Sequence, residues 1–307
     1  MVVAVALDDV KSTYQRFDKR GYSKITYIGA RDDQSLPLAT LNEQDPGRVS
    51  STHFHIVDQF QVVLDGGGTI GRHKLAPYGV HFTRAYTPYG PLVADQEKGL
   101  KFFVMRAHPD TGSQRLPKEQ EQLNRAPNRD PWQVTSLATF PTAAAASGAT
   151  MEPIPGVTDD RGLAGYSLSM KPNARVQGPD PANGDGQFLV VTKGGVLHEG
   201  KEHNAPALLW VWPKDGPLPI QAGAQGVEAI ILNFPRPRTS IERAAPSVKA
   251  DAGFKKWQCQ LCSFSYDEAL GMPDEGIAAG TRWQDVPDSW TCPDCSTSKA
   301  DFQMVEV

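Results

Sequence analysis

With 307 residues the chain is long enough for two or three domains, and 39% hydrophobic with 21% charged residues supports buried cores while excluding a disordered or membrane-embedded chain. The net charge of −4 is concentrated at one end: residues 255–307 hold four Lys/Arg against nine Asp/Glu, which leaves +1 for residues 1–254 and no basic surface for nucleic acid. The 28 Gly and 25 Pro favour short elements joined by turns over long helices.

The first apolar run, Met1 to Leu7, has no basic flank and meets Asp8 and Asp9 within a few residues, too short for a signal segment or a membrane span; a soluble, cytoplasmic protein is expected. Short apolar runs at residues 61–64, 102–105, 188–191 and 229–232 predict strands. The chain also repeats itself. Residues 59–67 and 187–195 agree at six of nine positions, and Ala76-Pro77, Gly90-Pro91-Leu92 and Pro109 return as Ala205-Pro206, Gly216-Pro217-Leu218 and Pro235, with an offset that stays between 126 and 129. Ordered matches at a nearly fixed offset indicate two copies of one β unit, residues 1–110 and 161–238. Between them, residues 111–160 read as a connector with a helix-like stretch from Lys118 to Asn124 and the low-complexity run Ala143–Ala146. His198 to His203 reads as a solvated hairpin, and residues 239–254 as a linker.

All four cysteines follow. Cys259-x-x-Cys262 and Cys292-Pro-Asp-Cys295 stand 29 residues apart, the paired-knuckle spacing of one tetrahedral thiolate metal site, which suits zinc or iron. A disulfide scaffold would spread its cysteines through the chain. With Trp257, Tyr266, Gly271, Pro273, Gly276, Gly280, Trp290, Lys299 and Phe302 around them, residues 255–307 resemble rubredoxin. The resemblance implies a small three-stranded sheet, an aromatic core of Trp257, Tyr266, Trp283, Trp290 and Phe302, iron at Cys259, Cys262, Cys292 and Cys295, one-electron transfer, and a redox partner such as a rubredoxin reductase. Ser263 and Ser296 replace the glycines usual after each knuckle, so an unusual reduction potential is expected.

In the first copy, Gly47-x5-His53-x-His55-x3-Gln59-x6-Gly66 resembles the first cupin motif, with Gln in place of the usual Glu. The resemblance implies a mainly β fold of two tandem cupin barrels (double-stranded β-helices) ahead of the rubredoxin module. Residues 53, 55 and 59 share parity on a strand, so His53, His55 and Gln59 form a candidate second metal site for iron or another divalent ion. The usual second motif is absent; His81 is the first candidate for a fourth ligand, with Tyr89, His73 and His108 behind it. The second copy has Pro181 and Asn183 at the two histidine positions but keeps Gln187, so it is expected to hold no metal there. Arg72, Arg84 and Arg106 are either carboxylate partners or surface residues.

Two functions follow from joining these modules. In the first, the protein is a metal-dependent cupin oxidoreductase, of a dioxygenase-like kind, acting on a small organic substrate and supplied with electrons by the rubredoxin module. In the second, it is a non-catalytic electron carrier whose cupin half binds a ligand or docks a partner. A homo-oligomer is compatible with either.

Overall fold

The computed structural model describes residues 2–30, 33–126, 130–141, 148–237, 254–259, 262, 264–295, 297, 299 and 304–306. Ser263, Ser296, Phe302, Ala143–Ala146 and nearly all of the 239–254 linker lie outside the described residues.

Parity along two strands organises the first 237 residues. On Gln59–Gly66, Gln59, Gln61 and Val63 point into one barrel while Phe60 and Val62 point out of it. On Gln187–His198, Leu189 and Val191 point into a second barrel while Phe188 and Val190 point out. The outward sets meet: Phe60, Phe82, Phe103, Phe188, Trp210 and Phe234 share one buried cluster, which holds the barrels back to back. Each fully buried aromatic or aliphatic side chain there contributes about 1.5–3 kcal/mol.

The first barrel combines a seven-stranded sheet, ordered Gln133–Leu137, Gly79–Thr83, Gln59–Gly66, Leu100–Arg106, Leu38–Gln44, Tyr22–Ile28 and Gln15–Phe17, with a four-stranded one built around Leu92–Ala94 and Gly68–Ile70. The second barrel is an eight-stranded sheet centred on Gln187–His198 and Pro219–Asn233. Equivalent glycines explain the repeat. Gly66 (φ 71°) and Gly194 (φ 68°) bulge toward the neighbouring strand, where a Cβ would lie 2.2 Å from the Gly99 carbonyl oxygen and 2.1 Å from that of Gly226.

Strand pairing departs from the sequence expectation at two places. Val3–Ala6 lies in the second barrel, where Val3 pairs with Trp210 and Ala6 with Ala207. Gln133–Leu137, expected as connector, pairs with Gly79–Thr83 and closes the first barrel, while Ala149–Thr158 joins the second. Within the connector the helix spans Gln120–Arg125. The expected hairpin forms between Gln187–His198 and Lys201–Asn204, but His203 is buried rather than solvated.

The two interiors differ in chemistry. Leu189, Leu209, Val211, Ile220, Ala222 and Ile231 fill the second barrel with apolar side chains, whereas the first presents Thr40, Asn42, Gln59, Gln61, Tyr89 and Arg106 to a cavity of about 610 Å³.

The C-terminal module is a three-stranded sheet in the order Ser265–Asp267, Lys256–Cys259, Met304–Glu306. Trp283 packs on Trp257, Tyr266 and Trp290 with ring centroids 6.5, 5.7 and 5.4 Å away, and Phe264, which the sequence pattern did not single out, adds a contact to Trp290. Glu268 anchors this core. Burial alone would raise its carboxyl, but donors from the Trp283 and Lys255 backbones, Arg282 and Trp257 Nε1 bring it down to about 2. No helix among the described residues is long and apolar enough to cross a membrane.

Candidate metal centre and the cavity behind it

Cys259 ends a strand and Cys262 follows in the next turn; Cys292 and Cys295 form the facing knuckle. All four are at most 2% exposed, and their sulfurs lie within 4.8 Å of one another. The Cys259–Cys295 and Cys262–Cys292 sulfur separations are 4.0 and 3.5 Å, bracketing the ~3.8 Å edge of a tetrahedron with metal–sulfur bonds near 2.3 Å. The Cys262 and Phe264 backbones donate to Cys259 Sγ and Cys262 Sγ, both at 3.4 Å, and the Thr297 hydroxyl lies 3.3 Å from Cys295 Sγ. Hydrogen bonds from the other three thiols pull Cys295 down, while burial pushes Cys292 up. Four buried thiolates need a cation, and these residues fit one tetrahedral iron or zinc.

This centre faces the first barrel. Asp294, between the knuckle cysteines and 5% exposed, lies 3.0 Å from Arg72 Nε and 3.7 Å from His73 Nε2. Arg72 also sits 5.4 Å from the Phe264 ring centroid, and a Cβ on Gly71 would approach the Pro293 carbonyl oxygen to 3.0 Å. Phe54, fully buried, belongs to one apolar cluster with all four cysteines, Leu123 and Trp290. We expect Arg72→Glu, which sets a like charge against buried Asp294, to release the module. Hydrogen exchange should rise at Phe54 and across 292–295 with the iron spectrum intact; unchanged protection would refute this docking contact.

The residues flanking Phe54 point the other way. His53 and His55 line the 610 Å³ cavity with Gln59, Gln61, Tyr89 and Arg106. The strand expected to carry residues 53, 55 and 59 is broken, since His53–Phe54 ends before Gln59–Gly66 begins, yet all three reach the same cavity. Most of the donors there are already engaged. His53 Nδ1 donates to the Ser51 carbonyl at 2.8 Å, which leaves its lone pair on Nε2, and burial together with His55 pulls its imidazole down to about 3. His55 Nδ1 is 2.6 Å from Asp110 Oδ2. Arg106 Nη2 lies 3.3 Å from both ring nitrogens of His55 and donates to Gln59 Oε1. Gln59 and Gln61 both donate to the Tyr89 hydroxyl, at 2.7 and 3.3 Å. Burial would raise Asp110, but the hydrogen bond from His55 and the charge of Arg106 hold it below its ordinary range.

Between His53, His55 and Gln59, the place where His55 and Gln59 would share a cation is held by the Arg106 guanidinium. Among the described residues, the four cysteines are the group of His, Cys, Asp and Glu donors that converges on one point. Of the other expected ligands, Tyr89 lines the same cavity and His81 packs beside it, with ring centroids 5.4 Å apart. His73 is at the docking contact, His108 pairs with Asp185 at 2.6 Å, and His81 bonds Thr135 Oγ1 at 2.9 Å. Arg84 is neither free nor in the cavity; it pairs with Asp130 and Asp159. In the second barrel, Pro181–Asn183 forms a 3-10 turn, and Asn233, opposite Gln187, takes the register place of Arg106.

His81 gives the first barrel a pH dependence. It is 1% exposed, and burial pulls its imidazole down to about 3 from 6.5. The folded chain thus keeps it neutral while the unfolded chain takes up a proton below pH ~6.5, so stability falls by about 1.4 kcal/mol per pH unit as pH drops toward 3. The urea midpoint of His81→Gln should change less between pH 7 and 4.5 than that of the wild type. An identical slope would remove His81 from the account.

Comparison with known proteins agrees with both halves. The rubredoxin family model matches residues 256–302. Rubredoxin-2 of Pseudomonas aeruginosa is 62% identical over 53 residues, 17% of this chain and 96% of the relative. The chain belongs to the rubredoxin family. Rubredoxin of Acinetobacter baylyi is likewise 62% identical over 53 residues, 17% of this chain and 98% of that protein. The C-terminal module is thus an iron-binding, electron-transferring rubredoxin. The remainder has the bicupin fold. It is similar to a bacterial pirin from Escherichia coli solved in complex with nickel(II), with a TM-score of 0.51 and 11% identity over 77% of this chain and 100% of that one. It is also similar to oxalate decarboxylase of Lactobacillus farciminis, with a TM-score of 0.50 and 11% identity over 76% of this chain and 86% of that one. At such identity the likeness carries the fold alone.

Proposed function

We propose that this protein is a one-iron electron carrier whose rubredoxin module works against the first cupin barrel, and that the barrel binds a small organic ligand where related folds can hold a metal. The observation that carries this reading is Arg106, whose guanidinium lies between His55 and Gln59 and supplies the positive charge there. The −5 charge of the rubredoxin module suits a basic reductase face, and electron delivery from such a partner would slow as salt rises. Metal analysis of the purified full chain tests the reading. One iron per chain in both wild type and His53→Ala, with the same visible spectrum, is expected. A second metal lost in His53→Ala would overturn it.

The oxidoreductase reading has one observation in its favour: Phe54 belongs to the cysteine cluster while His53 and His55 line the cavity. Packing through Phe54 joins the cysteine cluster to the wall of the cavity, and covalent attachment makes the encounter intramolecular. A reduced chain that is reoxidised without oxygen on adding a cavity ligand would support that reading over the carrier.

A further inference from the structure

The charge on the cavity wall has no counterpart in the sequence motifs. Arg20, Lys24, Arg48, Arg106 and Arg115 all line it, and no Asp or Glu does among the described residues. Arg106 is compensated by Asp110, whose Oδ2 lies 3.6 Å from its Nε. Arg48 and Arg115 are held differently, by neutral oxygens. Arg48 donates to Ser50 Oγ and to the Arg20 carbonyl at 2.5 Å and stacks 4.8 Å over the Tyr22 ring, while Arg115 donates to Ser51 Oγ at 3.1 Å. These contacts fix the two guanidiniums without neutralising them. Burial and the charges of Arg115 and Arg20 pull Arg48 down against the opposing charge of Asp45, which is itself paired with Arg16, and a bound anion would relieve the repulsion that remains.

Deeper in, the lining changes character. Leu92, Phe102 and Val104 offer an apolar wall, and Tyr89, which accepts from both Gln59 and Gln61, retains its own hydroxyl proton to donate. Burial holds that phenol neutral, pushed up to about 12. Two guanidiniums without carboxylate partners, an apolar wall and a neutral donor match a molecule with two carboxylates on a short carbon skeleton; guanidinium pairs with carboxylate in two-point geometry.

We propose that the first-barrel cavity binds a small organic dianion, a dicarboxylate received by Arg48 and Arg115 with its carbon skeleton against Leu92, Phe102 and Val104. This rests on the reading of the barrel as an organic-ligand module and names the ligand class. The test is calorimetric titration of the iron-loaded full chain at low ionic strength with succinate, 2-oxoglutarate, acetate and inorganic phosphate. At least one dicarboxylate should bind tenfold or more tightly than acetate and phosphate, and Arg115→Gln and Arg48→Gln should each weaken it at least tenfold with an unchanged iron spectrum and strand content. Arg115 is exposed, so its substitution leaves the fold testable even if Arg48→Gln does not. Absence of dicarboxylate binding, equal binding of phosphate, or binding indifferent to Arg115→Gln would each overturn the proposal. The metal count separates the two claims: one iron without dianion binding removes this inference alone, whereas a second metal lost in His53→Ala removes the reading beneath it.

Discussion

Cys262→Ala should abolish the visible iron–thiolate absorption and unfold the C-terminal module while leaving both barrels folded. Cys262 is fully buried, and the four ligands are themselves members of the core that contains Phe264, Tyr266, Ile277, Val286 and Trp290. A module of this size has too little apolar core to fold on its own account. Metal binding supplies about 10–16 kcal/mol in small zinc modules, as much as the entire stability of an ordinary domain. With three thiolates the site cannot complete its tetrahedron, and buried sulfur is left without a cation. The barrels rest on separate clusters, so their sheets should persist. Trypsin should then cut rapidly at Lys255 and Lys256 and spare residues 2–237, with circular dichroism retaining strand signal. Wild-type protection of the C-terminal module in the variant would show that it folds without its metal.

How much of this could be read in advance depended on whether the information is local. Four apolar runs gave four strands because parity and β-branching act within a few residues, and the cysteine spacing located the metal centre because knuckles are built from consecutive residues. The position of Val3–Ala6 was not legible. Its small apolar side chains suit any sheet, and its partner Ala207–Val211 is some two hundred residues away. Arg106 is the instructive case. It shares parity with Phe102 and Val104 on one strand, which was available from the sequence and turns it inward. That it would meet His55 and Gln59 depends on the register between Leu100–Arg106 and Gln59–Gly66, which includes a bulge that residue patterns do not reveal. Asp110 approaches His55 from beyond the strand end, through a loop with no periodicity to read. The motif therefore found the histidines that line the cavity but not the guanidinium facing them, which comes from a strand that the motif does not contain.

Arg106→Ala is expected to destabilise the first barrel by about 3–5 kcal/mol, the range for removing one partner of a buried ion pair. The cost would come chiefly from what remains. Asp110 is 2% exposed; Oδ2 receives the hydrogen bonds of His55 Nδ1 and of the Gly112 backbone at 3.1 Å, and Oδ1 is buried without a hydrogen-bond partner. Without the guanidinium its charge has only those donors, and Gln59 Oε1 loses its donor inside the barrel. Deleting both charges should then cost less than deleting the arginine alone, so Arg106→Met combined with Asp110→Ala should recover a substantial part of the loss in urea unfolding. The same variant bears on metal chemistry. Removing the guanidinium takes its contacts away from His55 Nε2 and Gln59 Oε1 beside His53, so Arg106→Ala should bind nickel(II) more tightly than the wild type, read as a second metal per chain. Equal nickel binding by the wild type, abolished in His53→Ala, would mean that Arg106 yields its place to a metal. In that case the first barrel would be a metal site and Arg106 a side chain displaced on loading.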